Sequence, residues 1–281
     1  MCGVLTLLGL ALAVSAVGQE QSAGVDPDWP CVSSRRVDPS YAVISEATGG
    51  QMLLFQPSET AGAGVFMVES MRHEETVFRT LAELGPEAVQ WEFPVDSTIA
   101  SLLITVSLQC TEEITIVDPD GAPVAAGSPG VEDHRFRAVR ITRIESPQPG
   151  LWSLRAQGSG LLFASVLAKS ELALDQARFV EWRGRPGHKG YFPMKGTPQL
   201  NTDAVLEVEL SEAPGVARFF LLGIDGAVLE EVALRTQGDA YRGNLWVRHR
   251  VFRLAVTGRD REGYAFQRLH PFLFQANYLP G

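Results

Sequence analysis

Val89-Gln90-Trp91-Glu92-Phe93-Pro94-Val95 is followed shortly by Leu102-Leu103-Ile104-Thr105-Val106-Ser107-Leu108. In both stretches apolar residues recur at every second position, with only Leu103 breaking the polar side. Period two means that one face of each segment enters a core and the other meets solvent, which predicts half-buried strands. Working outward, Ile114–Val117 reads as another strand, closed by the turn Asp118-Pro119-Asp120-Gly121, where Pro presets φ and Gly tolerates a positive one. Val139–Ile144, Leu151–Ala156 and Leu161–Leu167 extend the set, with Ser146-Pro-Gln-Pro-Gly150 between two of them. Many short strands separated by Pro/Gly turns predict a β-sandwich over residues 72–170, with Trp91, Phe93 and Trp152 in its core.

A second all-β set follows Lys169-Ser170-Glu171. Its strand candidates are Phe179–Trp182, Val205–Leu210, Val216–Leu222, Val228–Leu234, Val251–Val256, Tyr264–Leu269 and Pro271–Gln275. About seven strands in a segment of this length is the count expected of an immunoglobulin-like sandwich, here over 171–281. The Cys…Trp…Cys frame of antibody domains is absent from the sequence. Phe252, Val256, Tyr264 and Phe266 are the expected core residues of this half. The fold class is therefore mainly β: two consecutive antiparallel sandwiches.

Upstream, residues 41–71 predict a short α/β segment. A helix over Tyr41–Thr48 is closed by Gly49-Gly50, and Gln51–Phe55 reads as a short strand. A second helix starts near Pro57-Ser58-Glu59 and runs to about Met71, weakened by Gly62 and Gly64. Pro27, Pro30 and Pro39 mark residues 19–40 as a linker.

Val4–Ala16 is an almost unbroken apolar run with small residues at Ala16 and Gly18, although no Lys or Arg precedes it. That pattern predicts a signal peptide over residues 1–18, cut after Gly18, and a secreted protein, or a periplasmic one in a bacterium. The run falls short of the roughly 20 residues a membrane span needs, and no later segment is long and apolar enough. Cys2 would leave with the signal. Cys31 and Cys110 then remain; they suffice for one disulfide in an oxidising compartment, but two buried thiols fit the sequence equally well.

The chain has 281 residues and a formal net charge of −9. An acidic balance without a basic run or basic amphipathic helix argues against nucleic acid and against anionic membrane surfaces as partners. No Gly-x-Ser-x-Gly, His-Glu-x-x-His or phosphate-loop pattern is present, and the five histidines are scattered. Glu112-Glu113 and Glu230-Glu231 neighbour each other on strands, so each pair points to opposite faces and makes no acid/base couple. Asp118 and Asp120 carry oxygens a calcium ion would accept, but Asp-Pro-Asp-Gly is first of all a turn. The expectation is a non-enzymatic module with no cofactor and no catalytic residues. Its expected partner is an extracellular protein or matrix component. The rival is a carbohydrate-binding module, with Trp91, Trp152, Trp182, Trp246 and Tyr264 as candidate stacking rings.

Several ordered cues carry a family resemblance. They are Tyr41-x-x-Ile44 before Gly49-Gly50-Gln51, Trp91-x-x-Pro94-x-Asp96, Ile104-Thr-Val-Ser107, Ile116-Val-Asp-Pro119-Asp-Gly121 and Pro149-Gly150-Leu-Trp152. The most specific is Phe252-Arg-Leu-Ala-Val-Thr-Gly258-x-Asp260-x-x-Gly-Tyr264-x-Phe266-Gln267-Arg268. In this order they resemble the segment that follows the von Willebrand A domain in hemicentins, and are similar to the von Willebrand factor A domain-containing protein 7 family. The resemblance implies a galactose-binding-like sandwich followed by an immunoglobulin-like one, with residues 41–71 as the closing helix and strand of an A domain. No Asp-x-Ser-x-Ser metal-ion-dependent adhesion motif is present, so that activity is not implied. "Galactose-binding-like" names a fold and licenses no sugar ligand.

N-terminal sequencing of exported material should begin close to Gln19; an intact Met1 on exported protein would rule out the cleavage.

Overall fold

The computed structural model describes residues 4–7, 10–13, 37–59, 61–212 and 214–278. The expected cleavage after Gly18, most of the linker and Cys31 lie outside them. Val4–Leu7 (β1) and Leu10–Ala13 (β2) pair as a two-stranded antiparallel sheet of their own.

Helix α1, Pro39–Thr48, begins where the Asp38 carboxylate accepts the Ser40 N–H at 2.9 Å, and Pro39 sits where its missing N–H costs nothing. Gly49 ends it at φ 68°, and a Cβ there would lie 2.9 Å from the Pro271 carbonyl oxygen, so close approach as well as conformation calls for glycine. The strand expected over Gln51–Phe55 is not a strand. The segment belongs to no ladder, yet all five residues are buried, because Met52, Leu53 and Phe55 lie against the sheet of the first sandwich. The Leu54 N–H is satisfied by Ser107 Oγ at 3.0 Å instead of by a partner strand. A 3₁₀ turn at Pro57–Glu59 then leads to α2, Ala61–Ser70, whose Phe66 joins the same cover.

The first sandwich comprises β3 (Glu75–Leu84), β4 (Val89–Val95), β5 (Ile99–Val117), β6 (Val131–Arg135), β7 (Val139–Glu145) and β8 (Gly150–Ser170). The sequence predicted four separate strands where β5 and β8 are continuous. Register shifts at Leu108/Cys110 and Thr111/Glu113 of β5 face Gly158 and Gly160 of β8, both at positive φ. A Cβ on Gly158 would fall 2.1 Å from the Cys110 carbonyl oxygen. The glycines and bulges bend the ladder without breaking it, so both halves line one core. Trp152, Leu154 and Ala156 from one half of β8, and Leu162, Ala164 and Val166 from the other, belong to the same buried cluster.

The second sandwich comprises β9 (Gln176–Arg183), β10 (Gly190–Pro193), β11 (Asp203–Glu209), β12 (Val216–Leu222), β13 (Val228–Val232), β14 (Arg235–Gln237), β15 (Ala240–Trp246), β16 (Val251–Arg259), β17 (Ala265–Leu269) and β18 (Phe274–Gln275). The sheet β10-β9-β11-β15-β14 packs across a separate core on β13-β12-β16-β17. The periodic reading missed β15, because Gly243 and polar neighbours hide its alternation. A Cβ on Gly243 would meet the Ala233 carbonyl oxygen at 2.4 Å.

Every ladder among these strands is antiparallel, and β17 pairs β3 through Leu269 and Thr76, so one eleven-stranded sheet runs through both sandwiches. Helix α1 ties them a second time. Glu46, 1% exposed, accepts from Arg79 Nε of the first sandwich and from Arg253 Nη2 of the second, both also buried. Burial pulls the Arg253 guanidinium down to about 10, with Arg79 adding to the effect and Glu46 opposing it. One carboxylate thus balances two buried cations. Glu46→Gln should cost about 3–5 kcal/mol, the scale of an uncompensated buried charge; urea unfolding with an unchanged midpoint would contradict this role.

Candidate functional site

The residues singled out as core separate into two groups. Phe93, Trp152, Phe252, Val256 and Phe266 are buried, and Trp91 is half-buried against the first core. Trp152 also donates its Nε1–H to the Gln148 carbonyl at 2.9 Å. Tyr264 is the correction: it is 41% exposed. Its parity matches Phe266, but β17 begins only at Ala265, so the ring overhangs the edge of the sandwich in the turn after Asp260. Cys110 is in a disulfide. Asp118 Oδ1 accepts the N–H groups of Asp120 and Ala122, which is turn chemistry, and no group of three or more His, Cys, Asp or Glu converges as metal ligands among the described residues.

The largest exposed rings lie together at one end of the second sandwich. Trp182 pairs Tyr191 across β9 and β10, and Trp246 pairs Asp203 across β15 and β11. Val180 pairs Val205, so Trp182 and Asp203 fall in one row, and Tyr191, Trp182, Asp203 and Trp246 share a face. Leu206 and Val208, opposite in parity, enter the core, which turns that row outward. Trp182 is 61% and Trp246 44% exposed. Trp182 and Tyr191 meet edge to face, centroids 5.0 Å apart at 70°, and Arg242 lies 5.1 Å from the Tyr191 centroid. Further down the face Glu207 lies between Arg178 and Arg242. Burial opposes its ionisation, but hydrogen bonds from both arginines hold its carboxyl below the usual range.

Strands β9 and β15 both run toward this end, so the segments following them emerge there together. Arg183, Arg185 and Lys189 come from one, Arg248 and Arg250 from the other, and all five are exposed. Among the described residues none of the five forms an ion pair; Arg183 lies over Phe192 at 5.6 Å and Arg250 over Tyr278 at 5.8 Å. Residue spacing hid this collection, since Gly and Pro interrupt the first group and the second is far along the chain.

At the opposite end, where the two sandwiches meet, the side chains are closed on one another. Arg268 is fully buried; its Nη1 and Nη2 donate to the Asp96 carboxylate at 2.8 and 3.2 Å, its Nε to the Leu172 carbonyl at 2.7 Å and Nη2 also to Ser170 Oγ at 2.7 Å. Asp260 Oδ2 accepts Ser97 N–H at 2.9 Å and Ser97 Oγ at 2.7 Å, while Oδ1 accepts the N–H groups of Glu262 and Tyr264. Asp96, Asp260 and Arg268 stand among the ordered cues of the sequence, but their spacing does not reveal these bonds. The available signal was an arginine at an inward parity, two residues from Phe266. A cleft of about 210 Å³ beside the junction is lined by Ser97, Thr98, Glu171 and Asp260, and is smaller than a typical ligand pocket.

Burial opposes ionisation of Asp260, but hydrogen bonds from Ser97, Tyr264 and Glu262 outweigh it and hold its carboxyl below the usual range. Its contribution is therefore complete above the unfolded value of about 3.9 and is lost as pH falls through the lower folded value. Asp260→Asn should lower the melting temperature at neutral pH and flatten the loss of stability in acid; parallel melting profiles across the acid range would contradict this.

Residues 76–171 match the family described as hemicentin galactose-binding domain-like. The chain is 21% identical to mouse (Mus musculus) Hemicentin-1 over 252 residues and 19% identical to human (Homo sapiens) Hemicentin-1 over 251, in each case 84% of this chain and 4% of the relative. It thus spans a small part of the length of these relatives. Among solved structures, Bacillus licheniformis lipase BlEst2 in propeptide form aligns over 71% of this chain and 43% of that one, at 10% identity and a TM-score of 0.32. Over most of its length the chain is similar to part of a hemicentin, and its first sandwich is the segment that matches the hemicentin galactose-binding-like family.

Proposed function

We propose that this chain is an exported, non-catalytic contact module of the extracellular space or cell surface, acting as the hemicentin region after the A domain would. The observation that carries the reading is the closed junction. Asp96, Arg268, Asp260 and Glu46 spend their charge on one another and on backbone groups, and so hold the two sandwiches in one arrangement. Such a body is suited to presenting a surface at a set position, not to closing over a substrate. A hydrolase needs convergent titratable groups free to reach a substrate, and the carboxylate of Asp260 at the junction cleft is occupied by four chain donors. Similarity to Hemicentin-1 supports the extracellular assignment, and the residue cues around Tyr41 and Gly49 support a relation to von Willebrand factor A domain-containing protein 7. The rival reading as a neutral-sugar platform is weaker, because Trp182 and Tyr191 meet edge to face instead of offering coplanar rings.

The test is adhesion. Full chain produced through a secretory pathway and immobilised should retain matrix-coated beads or cells, with retention unchanged by EDTA, since this sequence lacks the metal-dependent adhesion motif. Failure of export, or retention abolished by EDTA, would overturn the reading.

A further inference from the structure

The far end of the second sandwich gathers what the rest of the molecule disperses. The chain as a whole carries −9, yet residues 171–281 hold more than half of its Lys and Arg and well under half of its Asp and Glu. Most arginines elsewhere in this sandwich are ion-paired: Arg178 and Arg242 to Glu207, Arg218 to Glu231, Arg253 to Glu46, Arg261 to Glu212 and Arg268 to Asp96. Arg183, Arg185, Lys189, Arg248 and Arg250 form no ion pair among the described residues, although Arg183 donates to the Pro193 carbonyl at 3.0 Å and lies over Phe192; all five lie at or beyond the ends of the strands that carry the outward rings of Trp182 and Trp246 to this end. The acidic groups nearby are Asp203, between the two tryptophans, Glu181 beside Trp182, and Glu230, 3.7 Å from His249. The segments bearing the cations leave strands two places apart, about 10 Å by strand spacing.

We propose that this end binds a sulfated polysaccharide. Exposed cations that form no ion pair among the described residues suit an anionic chain whose charges repeat along its length, since each contact forms at the surface and releases counterions. Exposed Trp and Tyr faces pack on the apolar faces of sugar rings between the charges, and the edge-to-face rings that disfavour a flat neutral platform are no obstacle where charge supplies most of the attraction. The arginines present planar donor forks that match two oxygens of a sulfate, as they match carboxylate and phosphate. The junction stands at the opposite end of β9 and β11, so occupancy of this end leaves the first sandwich free. This inference names the ligand class and face of the contact module described above and rests on that reading.

The experiment uses the purified full chain and heparin as the probe, with fully desulfated heparin and poly-glutamate as comparisons. The chain should bind heparin at about 0.15 M salt and release it as salt rises, because exposed charges are screened. Combined Arg183→Gln, Arg185→Gln and Lys189→Gln should weaken binding roughly tenfold or more at an unchanged melting temperature, as expected of lost salt-dependent contacts. Asp203→Asn should tighten it. Arg218→Gln, whose partner Glu231 lies on the other sheet, should leave it unaltered. No heparin binding, equal binding to the desulfated probe, or binding that survives the triple substitution would overturn the proposal. A clear preference for poly-glutamate would replace it with an acidic protein partner. Because the measurement uses purified protein, its failure leaves the export and adhesion test standing, and failure of export leaves this result intact.

Discussion

A guanidinium with no access to water has to be fully partnered, and Arg268 sits at the point where the two sandwiches touch. Its partners come from separate parts of the chain: Asp96 after β4, Ser170 at the end of β8 and Leu172 in the connection to β9. Each is in place only if the two halves adopt this arrangement. Removing ions from water is expensive, so a buried pair is poor evidence for stability, but breaking one by leaving a charge alone costs about 3–5 kcal/mol. The consequence is specificity. Other packings of two half-apolar sandwiches would strand Arg268, and the Leu269–Thr76 pairing that joins their sheets is aligned by the arginine one residue away.

The α-helical layer obeys the same constraint from another side. Arg79 faces outward from the core of the first sandwich, yet it is buried, because α1 and the segment 50–55 lie over it. It donates to the carbonyls of Ser45, Gly49 and Gly50 at the end of α1, the groups a helix leaves without internal partners. Glu46 then carries the connection to Arg253. Helix α1 and residues 50–55 therefore form a third layer, clamped at the C-terminal end of the helix and bonded to both sandwiches.

The two ends of the second sandwich show what this costs and permits. At the junction, polar side chains are turned inward and satisfied by one another. At the far end, the row of Tyr191, Trp182 and Trp246 remains in contact with water, near exposed cations that form no ion pair among the described residues. Rings of this size at a surface invite a partner, because a large apolar area loses water on contact and the polar atoms of Trp and Tyr still find acceptors.

The sequence by itself determined the mainly β class and the inward placement of Phe93, Trp152, Phe252 and Phe266. Period two is a local property, so it is legible wherever a strand has one wet and one dry face. Tyr264 escaped it, because parity does not say where a strand starts. The continuity of β5 and β8 escaped it too, since Gly158 and the facing bulges resemble a break when only one strand is read. Only the tertiary structure decided that residues 51–55 are buried without pairing, that Glu46 serves two arginines, and that cations from 183–189 and 248–250 share one end. Those outcomes depend on which strand lies beside which. Strand order follows from long-range packing and from the burial of charges that must find one another, and neither is written in the spacing of nearby residues.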